Sequence, residues 1–246
     1  MITLITGTGA GFDNGEFKSI NTKYGDVCYL ETTINEQQYY VIPRHGIGHK
    51  IAPNKINYRA IISACSMLES NAVIGICAVG SCHNDYKPGD IALLTDFIDM
   101  TKSRESTFYG DEDLRHISMD DPYSDSLNSI LINSANSLNI NIHSDCIYVC
   151  TEGPRFETAA EIKFYNAIGG NVVGMTNYPE VSLARELGLN YGAISVVINW
   201  CTGFSGEKIY IDENSVSNSM SKVFAIISNA TPKLSSFIVN RPPVFI

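Results

Sequence analysis

Apolar and polar positions along the chain switch repeatedly between a period of two and a period near 3.6. Met1 to Thr6 is a short apolar run of β type that stops at Gly7-Thr8-Gly9-Ala10-Gly11, a turn where backbone N–H groups can approach a ligand closely. Val27 to Thr33 and Gln38 to Pro43 predict a hairpin around Asn35-Glu36. Tyr58, Ile61, Ile62, Cys65, Met67 and Leu68 recur at mostly helical spacing between Asn57 and Leu68, and Val73 to Val79 follows as an unbroken apolar strand. Lys87-Pro88-Gly89-Asp90 predicts a turn, and Ile91 to Thr95 another strand.

The polar stretch from Asp99 to Asp125 has few periodic apolar positions and is too long for an idle connection, which predicts a functional or interface loop. Beyond it the pattern predicts helices at Asp125 to Leu138 and Thr158 to Ile168, and strands at Cys146 to Cys150 and Asn171 to Met175. Pro179-Glu180 opens a further helix, with the carboxylate at its positive end, and Gly188 closes it before a last strand from Tyr191 to Ile198. No linker, composition shift or repeat divides the chain. The expectation is an α/β fold in one domain over 1–246, with a central mixed β-sheet flanked by helices on both faces.

Composition narrows the function. At 44% hydrophobic, 246 residues can bury a sizeable core, which excludes disorder and small disulfide-stapled scaffolds. The net charge of −9 argues against a broad phosphate-tracking surface for nucleic acid but leaves local anion sites open. Seven cysteines, none in a CxxC pair and none with a histidine at zinc spacing, read as buried reduced thiols. Met1 to Thr6 lacks a basic segment and no apolar run could span a bilayer, so the expected setting is cytoplasmic, with no membrane partner.

Five places could carry chemistry, all at the ends of expected strands. The glycine turn leads to Phe12 where a dinucleotide fingerprint needs a small residue, so Thr8 between two glycines reads better as an anion cradle than as an NAD site. The cationic run from Pro43 to Lys50 is either a solvated basic loop or, through Arg44 and His45, a fork of donors for phosphate oxygens. In Thr151 to Thr158, Phe156 and Glu157 are placed to meet a ligand, although Glu157 could simply complement a helix dipole. Met175-Thr176-Asn177-Tyr178-Pro179-Glu180 and Asn199-Trp200-Cys201 complete the set, with a plain turn role open for Asn199. An anion cradle, a carboxylate, an amide and an aromatic together suggest a ligand with a phosphate and a planar ring.

Several ordered blocks resemble the trimeric purine nucleoside phosphorylase and methylthioadenosine phosphorylase family. They are Pro43-Arg44-His45-Gly46, Ile56 to Ala60, Ala78-Val79-Gly80-Ser81, Pro88-Gly89-Asp90, Phe97-Ile98-Asp99 with Thr101, Thr151 to Thr158, Gly174-Met175-Thr176, Pro179-Glu180-Val181 and Leu183 to Glu186. The resemblance implies a homotrimer that cleaves the N-glycosidic bond of a purine nucleoside with inorganic phosphate as co-substrate and no metal or organic cofactor. It places Thr8, Arg44, His45, Thr176 and the Ala78 N–H around phosphate, Met175 along the ribose and Phe156 on the base. His116 would reach a neighbouring subunit's 5′ pocket, and Asn199, Glu157 and His45 would take the catalytic roles. Cys77 departs from the Asn or Thr usual there, which puts a phosphate contact from that side chain in question.

Adenine-type members carry aspartate where this chain has Asn199 and Ser or Thr where it has Glu157. Asn199 can accept from a protonating N7 and donate to a 6-oxo group, and Glu157 can accept from the N1–H of hypoxanthine or guanine. The expected leaving group is therefore a 6-oxopurine. No histidine follows His143, and Ile209-Tyr210-Ile211 is apolar, which favours S-methyl-5′-thioinosine as a substrate beside inosine and guanosine. The competing readings are a methylthioadenosine phosphorylase releasing adenine, a nucleoside hydrolase, an NAD oxidoreductase and a non-catalytic nucleoside-binding protein of the same fold.

Overall fold

The computed structural model describes all residues except 13–14, 111–112, 207, 238–241 and 246. Nine strands form one mixed sheet: β1 (Ile2–Thr6), β2 (Phe17–Thr22), β3 (Gly25–Ile34), β4 (Gln37–Pro43), β5 (Ala72–Ser81), β6 (Ile91–Met100), β7 (His143–Thr151), β8 (Val172–Gly174) and β9 (Tyr191–Trp200). Their order is β2-β3-β4-β1-β5-β8-β7-β6-β9, and β9 also pairs with β5, so the last five strands close into a ring. β1 and β5 are buried on both faces, which is why their sequences read as apolar runs rather than as alternation.

The expected hairpin is β3 and β4, antiparallel around Asn35 and Glu36, both with φ in the left-handed region. The pattern did not reveal β2, whose Lys18, Ser19 and Asn21 are exposed on the sheet edge. Five helices cover the sheet: α1 (Tyr58–Met67), α2 (Asp125–Ser137), α3 (Ala159–Ala167), α4 (Glu180–Glu186) and α5 (Glu213–Leu234). Helix α1 starts where the Asn57 side chain accepts from the Ala60 N–H, and α2 where Ser124 accepts from Leu127. Core residues of α1 and α4 pack on one side of the sheet, and those of α2 and α5 on the other. The two-faced arrangement expected from the sequence is thus present, and the ring closure is the addition.

That closure creates the crevice. Strand β5 pairs with β1 at Ala72–Gly75 and with β8 only at Gly80–Ser81, while β9 runs along its other edge. Between Gly75 and Gly80 the first edge has no strand partner. An opening where strand order changes, at the carboxyl ends of strands, is where α/β sheets hold ligands.

Candidate active site

A cavity of about 510 Å³ occupies that opening. Its wall takes Gly7 and Thr8 after β1, Arg44 and His45 after β4, and Ala78 to Gly80 from β5. Phe156 and Glu157 come from the loop after β7, Met175 and Thr176 from the end of β8, and Asn199 from β9. The five separate sequence segments thus converge on one volume. His116 is the exception: it is exposed on the long loop and outside this cavity.

Arg44 is not part of a solvated basic loop, being only 1% exposed. Its fork faces inward, with Nε donating to Glu180 Oε2 at 3.1 Å and Nη2 to Glu180 Oε1 at 3.0 Å. Nη2 also donates to the Ile5 carbonyl at 3.0 Å, and Nη1 to the Ile76 carbonyl at 2.6 Å. Of five N–H donors, the one left is on Nη1. Burial alone would lower its pKa, but the facing Glu180 carboxylate outweighs that and raises it. Glycine is needed at position 7 because a Cβ there would sit 2.8 Å from Nη1. The Ala78 N–H, two residues beyond Ile76, points to the same open edge of β5.

The Arg44–Glu180 pair continues into a buried chain. Tyr191 donates its hydroxyl proton to Glu180 Oε1 at 2.7 Å, Asn177 Nδ2 donates to the Tyr191 hydroxyl at 2.9 Å, and the Tyr123 hydroxyl donates to Asn177 Oδ1. The sequence placed Glu180 at the helix-start end of the Met175 segment, and its pairing across 136 positions had no local signal.

His45 Nδ1 lies 2.8 Å from the Ile51 carbonyl, which can only accept, so Nδ1 carries the proton and Nε2 a lone pair. Burial pulls its pKa down to about 4, opposed by the Ile51 hydrogen bond and helped by the Arg44 charge. At neutral pH this ring is therefore an uncharged acceptor at Nε2, not the second cationic donor expected beside Arg44.

Glu157 does not serve the helix dipole. Helix α3 is capped by Thr158 with Glu161 in a reciprocal capping box, which satisfies the Thr158 and Glu161 N–H groups without Glu157. Glu157, one residue earlier, is buried in the cavity wall, and its Oε1 accepts from Thr151 Oγ1 at 2.6 Å. Asn199 donates one amide hydrogen to the Trp200 carbonyl at 2.7 Å, leaving Oδ1 and a second hydrogen. Phe156 is 55% exposed, so its ring stands at the mouth of the cavity rather than within it. Met175 fits against Gly153, where a Cβ would come within 2.7 Å of its sulfur.

Cys77 does not line the cavity. It is buried behind the wall, with Thr176 Oγ1 and Asn177 Nδ2 each 3.9 Å from Sγ, and burial raises its pKa so that it stays a thiol. Ile209 and Ile211 are in the wall, which supplies the apolar lining residues that the sequence left without a position. Phe12 rests edge-on against Phe224 of α5, and the glycine turn is followed by strand β2 instead of a helix. That geometry removes the dinucleotide reading, which needs a helix N-terminus at the turn. No helix among the described residues is long and apolar enough to cross a membrane.

Comparison with known proteins agrees with this geometry. The chain is 42% identical over 204 residues to a 6-oxopurine nucleoside phosphorylase of Pyrococcus furiosus, covering 80% of this chain and 77% of that one. It is 38% identical over 234 residues to a probable S-methyl-5′-thioinosine phosphorylase of Methanopyrus kandleri, covering 94% and 88%. Among solved structures, methylthioadenosine phosphorylase from Schistosoma mansoni in complex with tubercidin matches with a TM-score of 0.86 at 31% identity, over 96% of this chain and 92% of that one. The family model for the phosphorylase superfamily matches residues 2–230, and with the strand-end cavity and these relatives the chain belongs to that superfamily.

Proposed function

We propose that this protein is a pentosyltransferase that uses inorganic phosphate to split a 6-oxopurine nucleoside into free base and ribose 1-phosphate or its 5-methylthio analogue. The observation that carries the reading is that Glu157 and Asn199 share one cavity with Arg44, His45, Thr8 and Thr176. Phosphate takes the remaining Arg44 Nη1–H, the Ala78 N–H and the hydroxyls of Thr8 and Thr176, and a protonated phosphate oxygen or a ribose hydroxyl donates to His45 Nε2. A phosphate oxygen then bonds to C1′ as the C1′–N9 pair leaves with the purine, a charge separation that fixed dipoles in a closed site stabilise.

On the base, N7 takes up a proton from solvent as the C1′–N9 electron pair shifts onto the purine, Asn199 Oδ1 accepts from the resulting N7–H, and its second amide hydrogen donates to the 6-oxo oxygen. Glu157 Oε2, left over by Thr151, accepts from N1–H. Adenine presents a lone pair at N1 and would leave that buried carboxylate unpaired, a mismatch worth roughly 10⁴-fold in discrimination. Phe156 at the mouth is placed to cover the base and Met175 to lie along the ribose. The apolar Ile209 and Ile211 support S-methyl-5′-thioinosine over inosine and guanosine.

This reading includes a cytoplasmic homotrimer in which His116 serves a neighbour's 5′ pocket, and a reaction that needs no metal or organic cofactor. Light scattering would test the assembly. Values of kcat/KM for methylthioinosine, inosine and methylthioadenosine, with and without phosphate, test the chemistry. Phosphate-dependent turnover led by a 6-oxopurine is expected. Preference for methylthioadenosine would favour an adenine-releasing enzyme, turnover without phosphate a hydrolase, and no turnover a binding protein.

A further inference from the structure

The long polar stretch between β6 and α2 contains a buried cation that plays no part in the reaction as described above. The Arg104 side chain is 2% exposed, and its Nη2 lies 2.9, 3.0 and 2.8 Å from the carbonyl oxygens of Thr151, Glu152 and Met175. Nη1 donates to the Tyr178 carbonyl and lies 3.2 Å from the Tyr58 hydroxyl, whose ring is 5.4 Å from the guanidinium. These carbonyls come from three places: the end of β7, the end of β8 and the approach to α4. A buried carbonyl oxygen left without a donor is costly, and of these four only the Tyr178 oxygen has another side-chain donor in view among the described residues, Cys150 Sγ at 3.5 Å. A planar guanidinium meets several at once, and an ammonium could not reproduce the fan.

Two of the carbonyls belong to residues that shape the nucleoside half of the cavity. Thr151 also holds Glu157 through its hydroxyl, and Met175 is itself in the wall. None of the Arg104 contacts reaches the ends of β1 or β4, where Thr8, Arg44 and His45 stand. Thr176, next to Met175, has separate support, its N–H donating to the Tyr148 hydroxyl at 3.1 Å. Glu152 holds the backbone just before Arg104, its carboxylate accepting from the Lys102 N–H at 2.7 Å and from Ser103 Oγ at 3.3 Å, and stands 3.8 Å from Arg104 Nε as an ion pair.

We propose that Arg104 is a positioning residue that sets the spacing between the Glu157 loop and the Met175 loop, and so governs nucleoside affinity separately from phosphate affinity. The inference rests on the phosphorylase reading. Steady-state kinetics with each substrate varied in turn, beside thermal melts, test it in Arg104→Lys, Arg104→Met and Glu152→Ala. A displacement approaching 1 Å can cost about 100-fold, so a rise of roughly ten-fold or more in nucleoside KM is expected for folded Arg104 variants, with phosphate KM changed less than about three-fold.

Arg104→Lys should retain more activity than Arg104→Met, and Glu152→Ala should move the same constant by less. Folded Arg104 variants in which both KM values rise together, or neither does, overturn the proposal. If neither Arg104 variant folds, an unchanged nucleoside KM in Glu152→Ala overturns it. Absence of turnover by the unaltered protein would count against the function instead, and calorimetric binding of hypoxanthine to the same variants then decides the positioning role.

Discussion

Arg44 and Glu180 face each other through two hydrogen bonds, at 3.1 and 3.0 Å, with both side chains fully buried. Removing one partner of such a pair leaves an uncompensated charge in a low dielectric. Glu180→Gln should therefore lose about 3 kcal/mol or more of unfolding free energy, read by urea denaturation. A loss under about 1 kcal/mol would mean that the pair is solvated in solution.

Gly7 gives Arg44 its room. Gly7→Ala puts a methyl 2.8 Å from Nη1, closer than the two can stand, so the guanidinium must shift. Phosphate KM is expected to rise by about ten-fold or more while nucleoside KM moves little, which initial-rate measurements separate.

Glu157→Gln replaces an acceptor with a group that can also donate to an adenine N1. The ratio of kcat/KM for methylthioinosine over methylthioadenosine should fall by at least about 100-fold. An unchanged ratio would place the base edge elsewhere.

His45 is held neutral in the folded protein, with its pKa lowered by burial to about 4 from an unfolded value of 6.5. The unfolded chain therefore binds the proton first as pH falls, and stability is lost between about pH 6.5 and 4, by about 3 kcal/mol in all. Above pH 6.5 this contribution is complete. Urea melts of the protein and of His45→Gln across that range should differ in slope, and parallel curves would refute the assignment.

Ile209 and Ile211 add an apolar side to the wall. Ile209→Ser should lower the preference for methylthioinosine over inosine by about ten-fold, since one small apolar group in a pocket is worth about 1–3 kcal/mol. Competition assays with the two nucleosides would read this directly.

Sequence alone determined most of the architecture and the identity of the strand-end loops. Apolar runs such as Val73 to Val79 and helical spacing such as Tyr58 to Leu68 are local signals, because burial against a sheet or helix face repeats every two or 3.6 residues. The loops that carry Thr8, Arg44, Glu157 and Asn199 were legible because polar residues directly after apolar runs mark the carboxyl ends of strands, while the role of Met175 came from the resemblance of the ordered blocks. Only the tertiary structure decided how these groups are used. It turned the Arg44 fork towards Glu180, made His45 a neutral acceptor, moved Cys77 behind the wall and placed Arg104 beneath two loops. The Arg44 and Arg104 outcomes depend on charges and carbonyls brought together from distant positions, 136 residues apart for Arg44 and Glu180 and 71 for Arg104 and Met175. Periodicity has no term for such pairings, since the desolvation that drives them exists only once the chain has folded.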